Sequence, residues 1–293
     1  VKRRPKSKSS AQWLERQDND FFVSQAQLQG YRSRAAFKLL QINDKYSIFK
    51  PGQIVVDLGY SPGAWSQVAL EKTNPGGHIV GVDLIAADPP PGVSAIQGDM
   101  LSSETHRRLK SHLAKFIESR QGEPTEEASE EPVVTEEIVP KRRRVPKGKT
   151  LEEVLAEEKR LEELAKNQVV DIVLSDMCEP IVSSMDSSDF YTRTYIDSVK
   201  RLQSTSGIRF QDHAYSVELC YAALLFVIDT LKVGGHFVCK YYAGEEDKEM
   251  KKVFSRAFKK VHRVKPESSR SKSREIYLVC LHRKPAATRQ TVF

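Results

Sequence analysis

The feature that most constrains the fold is a series of short apolar runs, several of which end in an acidic residue or a glycine. Five of them are QIVVDLG (53–59), HIVGVDL (78–84), VSAIQGD (93–99), VDIVLSD (170–176) and GHFVCKY (235–241). Segments with helical periodicity lie between some of the runs. This alternation predicts a doubly wound α/β fold with ligands at the carboxyl ends of the strands. Two further runs, near 260–265 and 275–281, would bring the sheet to seven strands.

One long segment breaks this alternation. Residues 103–168 separate the third run from the fourth and carry Glu-rich and basic blocks with almost no aromatic residues. Such blocks cannot support a core, so we predict a charged, low-complexity, disordered insertion. The remaining chain then divides into a basic flexible tail (1–20), one α/β domain (21–284, interrupted by the insertion) and a C-terminal tail (285–293).

Composition excludes several classes of protein. No apolar run approaches the ~18 residues that a membrane-spanning helix needs. The four cysteines form no CxxC pair and the seven histidines show no metal-ligand spacing, which argues against a zinc ribbon, a disulfide scaffold or a metal centre. Five of the first ten residues are basic, which is compatible with phosphate contacts or with the end of an organelle transit peptide.

The strongest local motif is VVDLGYSPGAWS (55–66), in which a strand leads through a glycine-containing turn into a helix. Such a turn lets the backbone and the helix amides approach a nucleotide-type cofactor closely. Gly59 and Gly63 do not form GxGxxG, which disfavours a nicotinamide-dependent oxidoreductase. Asp83 and Asp99 end the next two strands, where carboxylates would meet ribose hydroxyls and an adenine amino group. Each acid alone could instead be a turn former.

These motifs together resemble the FtsJ-type ribose 2′-O-methyltransferases, whose loop is written DLGxAPGGWSQ. YRSRAAFKLLQI (31–42), SDM (175–177), FVCK (237–240) and SREIYLVC (273–280) match further family motifs. The resemblance implies a Rossmann-like S-adenosylmethionine-dependent methyltransferase fold. The cofactor contacts that it and the turn predict are Asp57, Gly59, Pro62, Gly63, Trp65, Asp83, Asp99 and Asp176.

Within the family, GIRFQDHAYSVELC (207–220), VCKYYAGEE (238–246) and the Glu-rich insertion most resemble fungal mitochondrial enzymes. Those enzymes methylate uridine riboses in large-subunit ribosomal RNA. The resemblance therefore implies a mitochondrial location and a ribosomal RNA substrate within a large-subunit particle. We expect a monomer without a metal. A tRNA or mRNA-cap ribose methyltransferase, or a non-catalytic ribosome-assembly factor with a vestigial site, is the alternative.

The family's catalytic tetrad falls on Lys38, Asp176, Lys240 and Glu275. A lysine acts as a general base only if its pKa falls from ~10.4 towards neutrality, which partial burial and a second cation favour. We therefore predict Lys240 as the base, with Lys38 as the second cation and the two acids orienting both ammonium groups. Without the resemblance, two ordinary salt bridges would explain the same four residues.

RNA must reach this tetrad, and basic residues on two sides of it are candidates for phosphate contacts. The chain shows no RNA-recognition motif and no zinc knuckle, so target choice would come from RNA shape or from a ribosomal context. The predicted RNA-binding residues are Arg32, Arg34, Arg270, Lys272 and Arg274.

Overall fold

The computed structural model describes residues 20–121, 168–178 and 205–293. Its strands are β1 (Ile54–Leu58), β2 (His78–Asp83), β3 (Val93–Gln97), β4 (Val170–Ser175), β5 (Leu231–Tyr242), β6 (Phe258–Val264) and β7 (Glu275–Arg283). Its helices are α1 (Phe21–Leu28), α2 (Ala35–Tyr46), α3 (Ala64–Thr73), α4 (Ser103–Gln121), α5 (Arg209–Thr230), α6 (Asp247–Ala257) and α7 (Arg289–Val292). None of the described helices is both long and apolar enough to cross a membrane.

The seven strands form one mixed sheet in the order β3-β2-β1-β4-β5-β7-β6. β1 to β5 run parallel to one another, whereas β7 runs antiparallel to both β5 and β6. The predicted Rossmann-like fold is thus confirmed. Because β7 runs the opposite way, its first residue lies at the same edge of the sheet as the last residues of β4 and β5.

Helices cover both faces of the sheet, which is why β1 is buried at every position. On one face, Val55 packs with α2 and α3 through Leu39 and Val68. On the other face, Val56 packs in a cluster that contains residues of α4, α5 and α6. Side chains alternate between the faces along a strand, so consecutive residues of β1 belong to different cores.

Two predicted boundaries are corrected by this packing. α4 starts at Ser103, and its Leu109 and Leu113 are buried in the core, so residues 103–121 belong to the domain and not to the insertion. Ala287 and Val292 are also buried, so the predicted tail 285–293 packs on the domain. The helical spacing at Thr105, Leu109 and Leu113 was masked by the charged residues between them. Residues 122–167 of the predicted insertion and 1–19 of the tail lie outside the described residues.

Candidate active site

The turn between β1 and α3 requires its two glycines. Gly59 has φ 68° and Gly63 has φ 105°, a region that side-chain-bearing residues rarely adopt. A Cβ at Gly63 would also lie 2.7 Å from the ring of Pro90, and one at Gly59 would meet the side chain of Met177. α3 begins directly after Gly63, so its first amides face the turn.

Two acidic residues stand at the ends of neighbouring strands, Asp83 at the end of β2 and Asp99 just after β3. Asp83 accepts hydrogen bonds from the amides of Ser61 and Ile85, each at 3.0 Å, and burial raises the pKa of its carboxyl. Asp99 is exposed and accepts from the amide of Leu101 at 2.9 Å. β2 and β3 are neighbours, with Asp83 opposite Gln97, so both acids lie at the carboxyl edge of the sheet.

Two predicted cofactor contacts, Asp57 and Trp65, are buried in the structure. The carboxylate of Asp57 is 1% exposed and accepts from the Ser66 hydroxyl at 2.6 Å, and burial raises its pKa to about 7. Trp65 is buried, and its indole N–H donates to the main-chain oxygen of Ala35 at 2.9 Å, which joins α3 to α2. Both side chains are hydrogen-bonded to other parts of the protein, and their direct contact with a cofactor stays a prediction.

The residues around the turn fit a nucleoside-bearing cofactor. The hydroxyl oxygen of Ser61 is buried and has no hydrogen-bond partner within the part of the chain that the structure describes. Buried polar atoms are rarely left unpaired, so this hydroxyl is suited to a hydrogen bond with a polar group of a cofactor. Ser61 lies within the Gly59–Gly63 turn, and its amide donates to Asp83 at 3.0 Å. By contrast, no group of three or more metal-binding side chains occurs in the described ranges.

The Lys240–Asp176 pair lies beside this turn, at the ends of β4 and β5. Lys240 Nζ donates to the main-chain oxygen of Asp176 at 2.6 Å and lies 3.2 Å from its Oδ1. The Lys240 side chain is only 7% exposed, so the ammonium depends on these contacts for its hydrogen bonds.

The Lys38–Glu275 pair completes the predicted tetrad from α2 and β7. Lys38 Nζ lies 2.7 Å from Glu275 Oε2, and the Ser269 hydroxyl donates to Glu275 Oε1 at 2.8 Å. Burial acts to raise the pKa of Glu275, but the charges of Lys38 and Lys240 outweigh it and hold this pKa below its usual value. Glu275 therefore experiences both lysines, and the tetrad forms one electrostatic cluster.

Tyr277 links the two pairs, and sequence reasoning missed it. Its hydroxyl donates to Asp176 Oδ1 at 2.9 Å, and its ring lies 5.8 Å from Lys38 Nζ. It stands opposite Lys240 in the β5–β7 register. A signal was available, since residues two apart on a strand share a face and Tyr277 follows Glu275 by two.

The groups around Lys240 decide the balance of effects on its pKa. Burial is the largest single effect and lowers the pKa of Lys240, but the charges of Asp176, Cys178, Tyr242 and Glu275 together raise it by more. The net pKa lies above the ordinary range of a lysine, so the fall that a general base requires does not occur in this arrangement. The reason is geometric, because Lys38 is paired with Glu275 and its charge is neutralised there.

Most of the predicted RNA-binding residues are hydrogen-bonded within the protein. Arg34 and Arg270 both contact the carboxylate of Asp20, and Arg34 also donates to the main-chain oxygen of Ser268. Arg274 donates to the main-chain oxygen of Ala243. Arg32 donates to three main-chain oxygens around the turn. Lys272 is exposed and has no such partner among the described residues.

Comparison with known proteins places this fold and site in a family. Residues 31–283 match the model of the FtsJ-like methyltransferases. The chain is 36% identical to rRNA methyltransferase 2, mitochondrial, of Saccharomyces cerevisiae, over 98% of this chain and 92% of that protein. It is 32% identical to ribosomal RNA large subunit methyltransferase E of Brucella anthropi, over 92% of this chain and 82% of that protein.

A solved structure described as a ribosomal RNA methyltransferase from Plasmodium falciparum is also similar. It is 26% identical and superposes with a TM-score of 0.53, over 86% of this chain and 98% of that chain. The fold and site thus define a Rossmann-like methyltransferase. More narrowly, the chain belongs to the FtsJ-like methyltransferase family.

Proposed function

We propose that this chain transfers a methyl group from S-adenosylmethionine to a ribose 2′-hydroxyl of ribosomal RNA. The observation that carries the proposal is the placement of the Lys38, Asp176, Lys240 and Glu275 cluster beside the glycine turn, at one edge of the sheet. An acceptor hydroxyl above the cluster would lie next to a cofactor held by the turn, which in-line methyl transfer requires.

The cofactor side of the site is assigned to the turn and the strand-end acids. We assign Gly59, Pro62 and Gly63 to close backbone approach, Ser61 to a polar group of the cofactor, and Asp83 and Asp99 to its ribose and adenine. When bound, S-adenosylmethionine supplies an electrophilic methyl group on a positively charged sulfonium. Asp176 lies between the turn and Lys240, so it contributes to both halves of the site.

Lys240 orients the acceptor and receives its proton in this proposal. Its nitrogen donates to the main-chain oxygen of Asp176 and lies 3.2 Å from the Oδ1 of that residue. A lysine nitrogen has three positions for hydrogen bonds, so one remains for the acceptor hydroxyl. In the resting protein the raised pKa keeps Lys240 as an ammonium. That ammonium would be disfavoured by the positive sulfonium of bound S-adenosylmethionine and would release one proton to solvent. The neutral amine would then have a lone pair for the acceptor hydroxyl, whose proton it takes as a general base.

The substrate and location are inferred from relatives. The Saccharomyces cerevisiae relative is named mitochondrial, and the Brucella anthropi relative is named for the large ribosomal subunit. We infer that this chain methylates a uridine ribose of mitochondrial large-subunit ribosomal RNA, meets it within a large-subunit particle and acts as a monomer.

Two measurements test this function. Calorimetric titration of the purified protein should show binding of S-adenosylhomocysteine and none of NAD, and the reverse result would reject the cofactor assignment. Ribose methylation should then be mapped on total RNA from cells with the gene, without it, and with the Lys240→Ala variant. We expect one large-subunit ribosomal position to lose methylation in both altered lines.

The same map separates the alternatives. If methylation is lost instead at a tRNA or an mRNA cap, that RNA is the substrate and ribosomal RNA is not. If ribosome assembly fails without the gene but is restored by Lys240→Ala, with ribose methylation unchanged in all lines, the chain is an assembly factor and not a methyltransferase on this RNA.

A further inference from the structure

The guanidinium group of Arg32 bridges two loops that are far apart in the sequence. Its Nη1 donates to the main-chain oxygen of Pro62 at 2.8 Å and also to that of Asp88. Its Nη2 donates to the main-chain oxygen of Pro89 at 3.1 Å. One side chain therefore holds the turn after β1 and the loop between β2 and β3 together. The carbonyls that it binds belong to backbone that no strand or helix hydrogen bonds restrain.

These two loops are the walls of the site assigned above to the cofactor. The first contains Gly59, Ser61 and Gly63, and the second follows Asp83. They also pack directly, because the Tyr60 hydroxyl donates to the main-chain oxygen of Ala87 and Gly63 lies against Pro90. Any widening of the gap between the loops would move the turn away from the acid that ends β2.

The base of the Arg32 side chain is itself anchored to α3. The amide of Arg32 donates to Gln67 Oε1 at 2.8 Å, and Gln67 Nε2 donates to the main-chain oxygen of Gly30 at 3.0 Å. The neighbouring Tyr31 hydroxyl donates to Glu71 Oε2 at 2.6 Å. Arg32 therefore reaches the loops from a backbone that is attached to the helix after the turn, three residues before α2 begins.

We propose that Arg32 is a positioning residue that fixes the width of the cofactor site, and not a phosphate ligand for RNA. A guanidinium presents its donors in a rigid planar fork, which suits several carbonyls at once and leaves no equivalent arrangement for lysine. In naming the ligand as S-adenosylmethionine, the inference rests on the proposed function. The bridge that Arg32 forms between the two loops, called the clamp below, rests only on the contacts of its guanidinium group.

The test compares Arg32→Ala and Arg32→Lys with two arginine controls. Arg34→Ala removes a cation two residues away that contacts Asp20, and Arg107→Ala removes a surface arginine that contacts Glu104. For each protein, calorimetry gives the Kd of S-adenosylhomocysteine. Single-turnover kinetics give the rate at saturating cofactor and the KM for RNA. Amide hydrogen exchange reports on residues 59–63 and 84–92 without cofactor.

We expect Arg32→Ala to raise the Kd of S-adenosylhomocysteine about tenfold, which corresponds to about 1.4 kcal/mol. The KM for RNA and the rate at saturating cofactor should stay near those of the unaltered protein, a split that general loss of folded protein would not produce. Exchange should become faster in both loops. Arg32→Lys keeps the charge but not the fork, so it should restore little of the cofactor affinity. Neither control should change the Kd or the exchange of these loops.

Three results would overturn the inference. The first is an unchanged Kd for S-adenosylhomocysteine with a raised KM for RNA in Arg32→Ala, which would show that Arg32 contacts RNA phosphates. The second is full restoration by Arg32→Lys. The third is unchanged exchange in both loops. If the unaltered protein binds no S-adenosylhomocysteine, the proposed function fails, while faster exchange in Arg32→Ala would still support the clamp.

Discussion

The chemical properties of individual residues in this site depend on the neighbours that the fold gives them. Lys240 is surrounded by oxygens of Asp176, and Lys38 is neutralised by Glu275. Tyr277 donates to the acid of the first pair and lies against the lysine of the second. The chemical character of Lys240 is therefore that of a held ammonium, and its proposed action as a base depends on what else enters the site.

Substitution of Lys240 separates its two conceivable roles. Lys240→Ala should keep the Kd of the cofactor near that of the unaltered protein while single-turnover methyl transfer falls by about 10²–10⁴-fold, the usual worth of general-base assistance. Lys240→Arg should be nearly as slow, because a guanidinium does not become neutral near physiological pH. If the arginine variant retains more than about a tenth of the rate, the barrier has risen by less than about 1.4 kcal/mol and Lys240 is not the proton acceptor.

Asp57 should make the free energy of unfolding depend on pH. Burial raises its pKa from 3.8 to about 7 in the folded protein, so the folded state binds a proton more readily than the unfolded state in that window. Stability from this group is therefore lost as pH rises from about 4 to about 7. Asp57→Asn removes that loss, so its advantage over the unaltered protein should grow with pH, by up to about 4 kcal/mol at pH 8.

Urea unfolding at pH 5 and pH 8 measures this difference. Ser66→Ala is the matched control, because it removes the hydroxyl that donates to the Asp57 carboxylate and opposes the rise of its pKa. We expect the pH dependence of that variant to be steeper than that of the unaltered protein. Parallel stability profiles for Asp57→Asn and the unaltered protein would contradict the assignment.

At the scale of helices and strands, helices whose composition predicts little burial contribute side chains to the core. α4 is a highly charged segment, yet Leu109 and Leu113 on one of its faces are buried against the sheet. At the end of the chain, Val292 of α7 is buried, and Arg283 donates to the main-chain oxygens of Ile228 and Ala287. Each of these elements closes one side of the face that α5 covers.

The limits of the insertion can be tested by replacement. A short Gly/Ser linker in place of residues 122–167 should leave the melting temperature and methyl transfer close to those of the full chain, because blocks of charge without aromatic residues add little to a core. Extending the replacement to residues 103–167 should destabilise the protein, since truncating one buried leucine typically costs roughly 2–5 kcal/mol.

Leu109→Ala in the full-length chain is the control for that comparison, because it removes buried apolar volume without changing the chain length. Thermal unfolding of all three variants provides the measurement. Equal stability of the two linker variants would show that α4 is not part of the folding unit. A large loss on replacing residues 122–167 alone would show that the insertion is.

For the molecule as a whole, positive charge is unevenly available to RNA. The net charge is +7, but four of the five cations predicted to hold phosphates are already hydrogen-bonded to protein oxygens. The segment before Asp20 adds further basic residues, namely Lys2, Arg3, Arg4, Lys6, Lys8 and Arg16. We therefore expect much of the nonspecific attraction for RNA to come from that segment.

Removal of residues 1–19 should make RNA binding less sensitive to salt. Each phosphate contact contributes roughly 0.7 to the slope of log K against log salt for single strands, so the slope should fall by up to about 4. Arg274→Ala, which removes a guanidinium that contacts Ala243, should change the slope by less than about 1. Fluorescence anisotropy over a range of salt concentrations is the measurement. An unchanged slope in the truncated protein would contradict the expectation, provided that its cofactor affinity is intact.

Local sequence by itself determined the strands, their carboxyl-edge acids and the glycine turn. Buried parallel strands require continuous apolar runs, and a turn with positive φ requires glycine, so these features are visible within a dozen residues. The edge at which Asp83, Asp99, Asp176 and Lys240 meet also follows from the pattern, because parallel strands end on the same side.

Only the tertiary structure decided which partners the charged side chains take. Arg32 binds carbonyls that lie 30 to 57 residues away, and Tyr277 reaches an acid 101 residues away. The raised pKa of Lys240 has the same origin. Hydrogen bonds, Coulomb interactions and burial depend on distances in space, and no spacing along this chain encodes them before the sheet has brought its edges and helices together.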